Sequence, residues 1–344
     1  MKILLFFLVV ATLWGNPSGL DVVSGTCTFE QQGKHLHLQT SDGAILHWKD
    51  FSILPGEMTQ FHQPNGEAWV LNQVTGTLRS EIHGALLSNG QIVLLNPNGI
   101  LFGKDSYVEV GGLIASSLKE VLVDGKVTAN HGALAFIGSE VIVGGSILSK
   151  VGKYTYVRAE DNPYGITIKD VGGRVYLWSE NETRVKPSGI LEGETLALLS
   201  EGEAHFQGTA SVKDIEISGK KGFYHTGTFH RRGMLTLDPE SDVTISTIPS
   251  YNYEGNPTSD FSNITICKLI EEIEAGPVTI TTYFDGKGGG LGSITVKGDV
   301  QHTFHSPHPL IFQTEGAGGI HLEGALTNTG CGPIQLSAPH ITIT

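Results

Sequence analysis

Between Asn72 and Gly103 short apolar runs alternate with turn residues at close spacing. Ala85-Leu-Leu87 is followed by Ser-Asn89-Gly90, then Gln91-Ile-Val-Leu-Leu95, then Asn96-Pro97-Asn98-Gly99. Runs of about 4–6 residues, punctuated by Asn-Gly and Pro, predict short strands rather than helices. The pattern extends over most of the chain: Ala44–Trp48, Ala68–Leu71, Tyr107–Val110, Glu140–Val143, Gly165–Ile168, Arg174–Trp178, Thr195–Leu199 and Asp214–Ile217. It continues through Leu235–Leu237, Asp242–Ile245, Asn263–Ile266, Val278–Ile280, Ser293–Val296, Gly319–Leu322 and Pro333–Leu336 to His340–Thr344. Many runs share one order: a small or polar residue, Ile or Val, Thr or another polar residue, then Ile, Val or Leu. This period of two directs one set of side chains inward.

Recurrence at about every 20 residues predicts a β-solenoid, in which each coil pairs in parallel with its neighbours and stacks ladders of Ile, Val and Leu. Glycine and asparagine are expected at corners that require positive φ. Ile142 is expected in the stacked core, so that Ile142→Asp would unfold neighbouring coils. A two-sheet sandwich is the rival and needs antiparallel hairpins. Asn89-Gly90 between two apolar runs fits one such hairpin. The even continuation of the runs to the last residue favours the solenoid.

Two segments depart from the pattern. Residues 248–260 are rich in Pro, Asn and Ser and predict a loop. In Lys268–Ala275, Leu269, Ile270 and Ile273 at helical spacing predict a short helix. The expected organisation is therefore a leader (1–19), a first solenoid domain (20–247), a loop (248–262) and further coils without an evident polar cap (263–344). The leader follows from Lys2, the apolar run Ile3–Trp14 and the small residues after it, the form of a secretory signal peptide. That run is shorter than the roughly 20 residues that span a membrane.

The 344-residue chain contains 45 glycines, well above the usual share of roughly 7 per cent, and they fall between the apolar runs as turn residues. The net charge of −13 and the scarcity of adjacent basic residues exclude nucleic acid as a partner. Cys27, Cys267 and Cys331 are too widely spaced for a dense disulfide framework, although an exported chain could form one bridge.

The stretch Asn72–Ser117 resembles the N-terminal secretion domain of two-partner-secretion exoproteins, the filamentous haemagglutinin and haemolysin group. Asn72, Val74 and Gly76 match its Asn-x-Val-x-Gly, and Ser80, Ile82, Gly84 and Leu86 its Ser-x-Ile-x-Gly-x-Leu. Asn96-Pro97-Asn98-Gly99-Ile100 stands complete, followed by Phe102-Gly103 and by Val110–Ser117. Similarity is looser over Gly172–Ser179, Ile215–Lys220 and Leu235–Pro239. The resemblance implies an all-β, right-handed parallel β-helix with short antiparallel extra elements. It also implies a protein exported through a dedicated outer-membrane β-barrel transporter, via the periplasm of a Gram-negative-type bacterium. Such a protein is secreted or held at the cell surface as an adhesin, with a host-cell receptor or glycan as its further partner. In that group the residues from Asn96 to Ile100 mark the address read by the transporter, so Asn96→Ala or Asn98→Ala is expected to reduce export more than folding. Pro97 also fixes φ for a turn, and Asn98-Gly99 is expected to supply the positive φ that follows.

No hydrolase, zinc-protease or phosphate-loop motif is present, and Gly286–Gly292 lacks the strand-to-helix spacing of a nucleotide loop. The expectation is a non-enzymatic protein without a cofactor. Two alternatives stay open. The 14 histidines, with His35 and His37 on one strand face and His302, His305 and His308 at intervals of three, would suit a haem- or metal-scavenging protein. Carboxylate pairs such as Asp105 with Glu109, or Glu192 with Glu194, would suit a polysaccharide-acting enzyme if they lay about 5–10 Å apart.

Overall fold

The computed structural model describes residues 15–150, 173–248, 262–283 and 291–344, and the backbone of 155–157 and 168–170. Residues 1–14 of the expected signal peptide, most of the 248–262 loop, most of Gly286–Gly292 and most of the Gly165–Ile168 run lie outside the described residues, whereas residues 15–19 are described and Asn16 is buried, its Nδ2 donating to Lys34 O at 3.0 Å.

The chain forms a β-solenoid of about 13 turns, with about 3% helix. One coil shows the construction. Gln91–Leu95 forms a first face, Ile100–Phe102 a second and Tyr107–Val110 a third, before Gly112–Ser116 returns to the first face one level on. Neighbouring coils pair in parallel and in register, with Ile92 beside Leu113, Ile100 beside Val121 and Val108 beside Val127. The period of two turns Ile92, Leu94, Ile100, Phe102, Val108 and Val110 into the interior, each at 0% exposure, so the coil is filled and not a tube. Each such side chain contributes about 1.5–3 kcal/mol on burial. Phe102 meets Phe136 edge to face, with ring centroids 6.0 Å apart.

The hairpin expected at Asn89-Gly90 is absent. Ala85–Ser88 and Gln91–Leu95 belong to different sheets, and Asn89-Gly90 is the corner between them. Asn89 bonds sideways to the preceding coil: Gln63 N donates to its Oδ1 at 2.7 Å, and its Nδ2 donates to Gln63 O at 2.7 Å. Among the described residues, antiparallel strand pairing is confined to the N-terminal coils and the short pair Thr155–Val157 with Ile168–Asp170. Asp21–Ser24 runs antiparallel to Ala44–Trp48, and Cys27–Gln32 to His35–Thr40. These two pairs are the short antiparallel elements implied by the resemblance.

Three further expectations change. Ile142 is half-buried and faces outward, whereas Val141 and Val143 are fully buried. In Val-Ile-Val both alternations are apolar, and the shift between Gly138 and Glu140 selects the inward set. Asparagines do not provide positive φ: among the described residues all positive φ values belong to glycines, including Gly99 at 114°. Cys27, Cys267 and Cys331 are free thiols, and partial burial pushes the Cys27 thiol up to about 11.

Beyond residue 225 the coils are not stacked in sequence order. Ser262–Thr265 lies between Gly222–His225 and Val243–Ser246, parallel to both. The expected helix then follows as α1 (Ile266–Ala275), its N-terminus capped by Thr265, which accepts from Lys268 N. The helix takes the place of one third-face strand. The third-face sheet ends at Thr228–His230, and a separate pair, Gln301–Phe304 with Ala325–Asn328, follows it.

Candidate functional site

The Asn96–Gly99 corner joins the first and second faces of its coil. Asn96 is buried, and its side chain is saturated with hydrogen bonds. Its Nδ2 donates to Leu78 O and to Ser80 Oγ, both at 3.0 Å. Its Oδ1 accepts from Asn98 N at 2.9 Å and from Asn98 Nδ2 at 3.2 Å. A turn bond from Gly99 N to Asn96 O closes the corner at 3.3 Å, and Gly99 O accepts from Ser80 N at 3.1 Å. Gly99 adopts the left-handed φ that the sequence assigns to this position, which a side chain would strain. Pro97 leads the turn and is exposed.

The second group of motif residues, Asn72, Val74 and Gly76, lies one coil earlier at the same corner. Asn98 Nδ2 donates to Gly76 O at 3.0 Å and ties the two coils together. Gly76 has no room for a side chain, because a Cβ there would lie 1.9 Å from Lys49 O. Asn72 is fully buried and its Oδ1 accepts from the Trp48 indole at 3.0 Å. A buried amide and a buried indole thus satisfy each other. Val74, Ile100 and Phe102 fill the interior. Gly103 sits at the next corner, where a Cβ would lie 2.2 Å from His83 Nδ1. The structure therefore brings all ten motif positions into three adjacent corners and the core behind them.

Little of the motif is left for a partner to touch. What the corner exposes is Pro97, with Leu118 of the coil after on the same cleft wall and, on the coil before, Leu78, whose carbonyl accepts from Asn96; the two leucines are 79% and 68% exposed. Beside Pro97 and Leu118 lies a cleft of about 350 Å³ whose wall includes Leu95, Gln73 and Ser116. Leu95 also belongs to an outward-facing apolar group on the first face, with Leu71, Val93, Ile114 and Ala135, edged by Ile45, Trp69 and Tyr176. Register pairing stacks Ile45, Leu71, Val93, Ile114, Ala135 and Tyr176 in one ladder. Leu78 and Leu118 carry no sequence signal, since each stands alone among polar turn residues. Only stacking brings them to Pro97.

The other candidate groups are scattered. His37 stacks on His62 with centroids 5.8 Å apart, and His35 stands edge-on to His37 at 6.4 Å. His302 and His305 are exposed and His308 is half-buried, His302 on a strand and the others in the turn after it. Among the described residues no group of three or more His, Cys, Asp or Glu is disposed to hold a metal ion. Glu109 is held by the Tyr107 hydroxyl and by Asn130 Nδ2, and these bonds keep its carboxyl below the ordinary value. Asp105, Glu192 and Glu194 are exposed.

Residues 21–127 match the family of the TPS secretion domain. Two curated relatives are heme/hemopexin-binding proteins of Haemophilus influenzae. One is 37% identical over 103 residues and the other 31% over 102, in each case 29% of this chain and 11% of the relative. The chain thus spans about a tenth of the length of these relatives. Among solved structures, the HMW1 secretion domain from Haemophilus influenzae is similar with a TM-score of 0.48 and 18% identity, over 94% of this chain and all of that one.

Proposed function

We propose that this chain, whose residues 21–127 form a two-partner-secretion domain, belongs to a secreted, non-enzymatic exoprotein handed to an outer-membrane β-barrel transporter. The observation that carries the reading is that the matched span contains the complete Asn72–Gly103 motif set, folded into three adjacent corners and the core behind them. The transporter contact is the exposed rib of Leu78, Pro97 and Leu118 with its adjoining cleft. The asparagines act behind it by fixing the corner's shape, because both side-chain polar atoms of Asn96 and the Nδ2 of Asn98 are already engaged within the chain. After export the protein acts at the cell surface or in the medium as an adhesin. The aliphatic members of its outward ladder are covered, so the surface that a receptor or glycan would bind there is the half-buried edge of Ile45, Trp69 and Tyr176.

The test is export of this chain with and without the barrel partner, comparing the parent with a Pro97→Ser, Leu118→Ser double variant. Both substitutions are at exposed positions, so the stability loss should be confined to about 0.4–1 kcal/mol, the amount a turn proline contributes by restricting the unfolded chain. Partner-dependent appearance in the medium, slowed severalfold in the double variant, is the expected result. Export without the partner would defeat the two-partner reading. Undiminished export of the double variant would defeat the rib alone.

A further inference from the structure

The helix α1 is fastened by a buried cluster of ionisable groups. The Glu272 carboxylate lies at its centre, almost wholly buried. His225 Nε2 is 2.8 Å from its Oε1, Lys268 Nζ is 3.1 Å from the same oxygen, and Arg231 Nε is 3.4 Å from Oε2. Arg231 also donates to Glu272 O, Gly276 O, Gly233 O and Pro277 O, which ties the end of the helix to the coil beneath. On the other side, Ser306 Oγ donates to Ile273 O at 2.7 Å. The helix is therefore the link between coils on either side of the break in the third face.

His225 is the variable member. Its ring is fully buried, stacks on Phe229 with centroids 4.2 Å apart, and lies against Phe206. Its Nδ1 has no hydrogen-bond partner among the described residues. A neutral ring donates from Nε2 to Glu272 and leaves only an idle lone pair at Nδ1. A protonated ring places a charged N–H at Nδ1 against aromatic carbon. It also adds a third cation to a site where one carboxylate already faces Arg231 and Lys268. The other charges near the cluster are Glu271, exposed on the same helix, and Asp214, which acts on Arg231.

We propose that α1 is an acid-released clasp: the Glu272 cluster holds the helix across the break at neutral pH, and protonation of His225 loosens it and parts the coils on its two sides. Burial above all holds the folded His225 below its ordinary value of 6.5, against the opposing pull of Glu272. Glu272 stays ionised in this range. Burial pushes its carboxyl up, but the hydrogen bond from His225 and the charge and hydrogen bond of Lys268 pull it the other way, and it lies below the ordinary value. In the opened helix His225 takes up a proton as the pH falls past about 6.5, and in the closed helix it does not. The clasp is thus at full strength above that pH and weakens below it.

Amide hydrogen exchange on the full chain at pH 7.5 and 5.5 tests the clasp, with protection factors compared between peptides covering 263–276 and those covering 91–95 and 112–116. In the parent, α1 protection should fall about tenfold across this interval, the most that one proton can give, while the N-terminal coils hold theirs. His225→Gln keeps a donor for Glu272 but binds no proton, and should level the α1 response. Unchanged α1 protection in the parent, an equal fall in His225→Gln, or a fall shared by every coil would each overturn the proposal. If His225→Gln does not fold, the contrast between the two peptide sets in the parent still decides.

Discussion

Replacing Asn96 by alanine separates a shaping role for the motif from direct recognition by a partner. The substitution removes four hydrogen bonds: two donated to Leu78 O and Ser80 Oγ, and two accepted from Asn98. Each is worth about 1 kcal/mol net, and a buried group left without a partner costs about 1–3 kcal/mol. Leu78 and Asn98 are at least partly exposed, so water can replace their bonds, whereas Ser80 is fully buried and stays unsatisfied. The expected loss is therefore about 3 kcal/mol. Urea unfolding followed by circular dichroism measures it, in parallel with export. Asn96→Asp should cost at least as much, since it turns a carboxylate oxygen toward the Leu78 carbonyl. Paired with Ser80→Ala, Asn96→Ala should show a coupling of about 1 kcal/mol. This reverses what the motif alone leads one to expect, because folding should fall together with export. A loss under about 1 kcal/mol accompanied by failed export would refute the reasoning and make the Asn96 amide itself the group the partner reads.

Two further outcomes follow from burial. Val141→Asp puts a charge into the filled interior and should cost several kcal/mol, whereas Ile142→Asp, on the outward side of the same strand, should cost about 1 kcal/mol or less; urea midpoints compare them directly. Asp238 is raised to about 6 by burial first and then by Glu216 and Glu240. Its folded value exceeds its unfolded one, so stability falls as the pH rises from about 4 through 6. Asp238→Asn should remove that fall, recovering roughly 1 kcal/mol at pH 7 once solvent screening is allowed for, as read from melting at the two pH values.

The solenoid was legible because its two signals are local: short strands of period two, and turn residues at nearly constant intervals. The inward set was legible where polar and apolar residues alternate, as in Asn263-Ile-Thr, and ambiguous in Val141-Ile-Val143, where both sets are apolar. The motif residues were legible as a group, but their chemistry was not. Asn96 and Asn98 looked like carriers of positive φ or marks for a partner, yet their side chains serve as cross-coil ties whose acceptors lie 16 to 22 residues away in sequence. Leu78 and Leu118 gain meaning only from their stacking beside Pro97. The out-of-order strand Ser262–Thr265 and the Glu272 cluster join residues about 40 or more positions apart, a distance at which no periodic pattern operates.

The register of the ladders bears on how such a chain can acquire its structure. Ile92 pairs with Leu113, and Leu113 with Leu134, each partner 21 residues further on. A coil therefore closes with little loop entropy, and its partners arrive soon after it in the chain. A polypeptide delivered end first can add one coil at a time to an edge already formed, without waiting for distant segments, and each added coil opposes the chain's slipping back. Over the coils before residue 225 the growing edge is the template, so the order of delivery there is also the order of assembly. The rhythm changes where Leu235 pairs with Val278, 43 residues on. There the advancing edge must wait for a longer excursion to return, and that makes the α1 region the natural pause in the process.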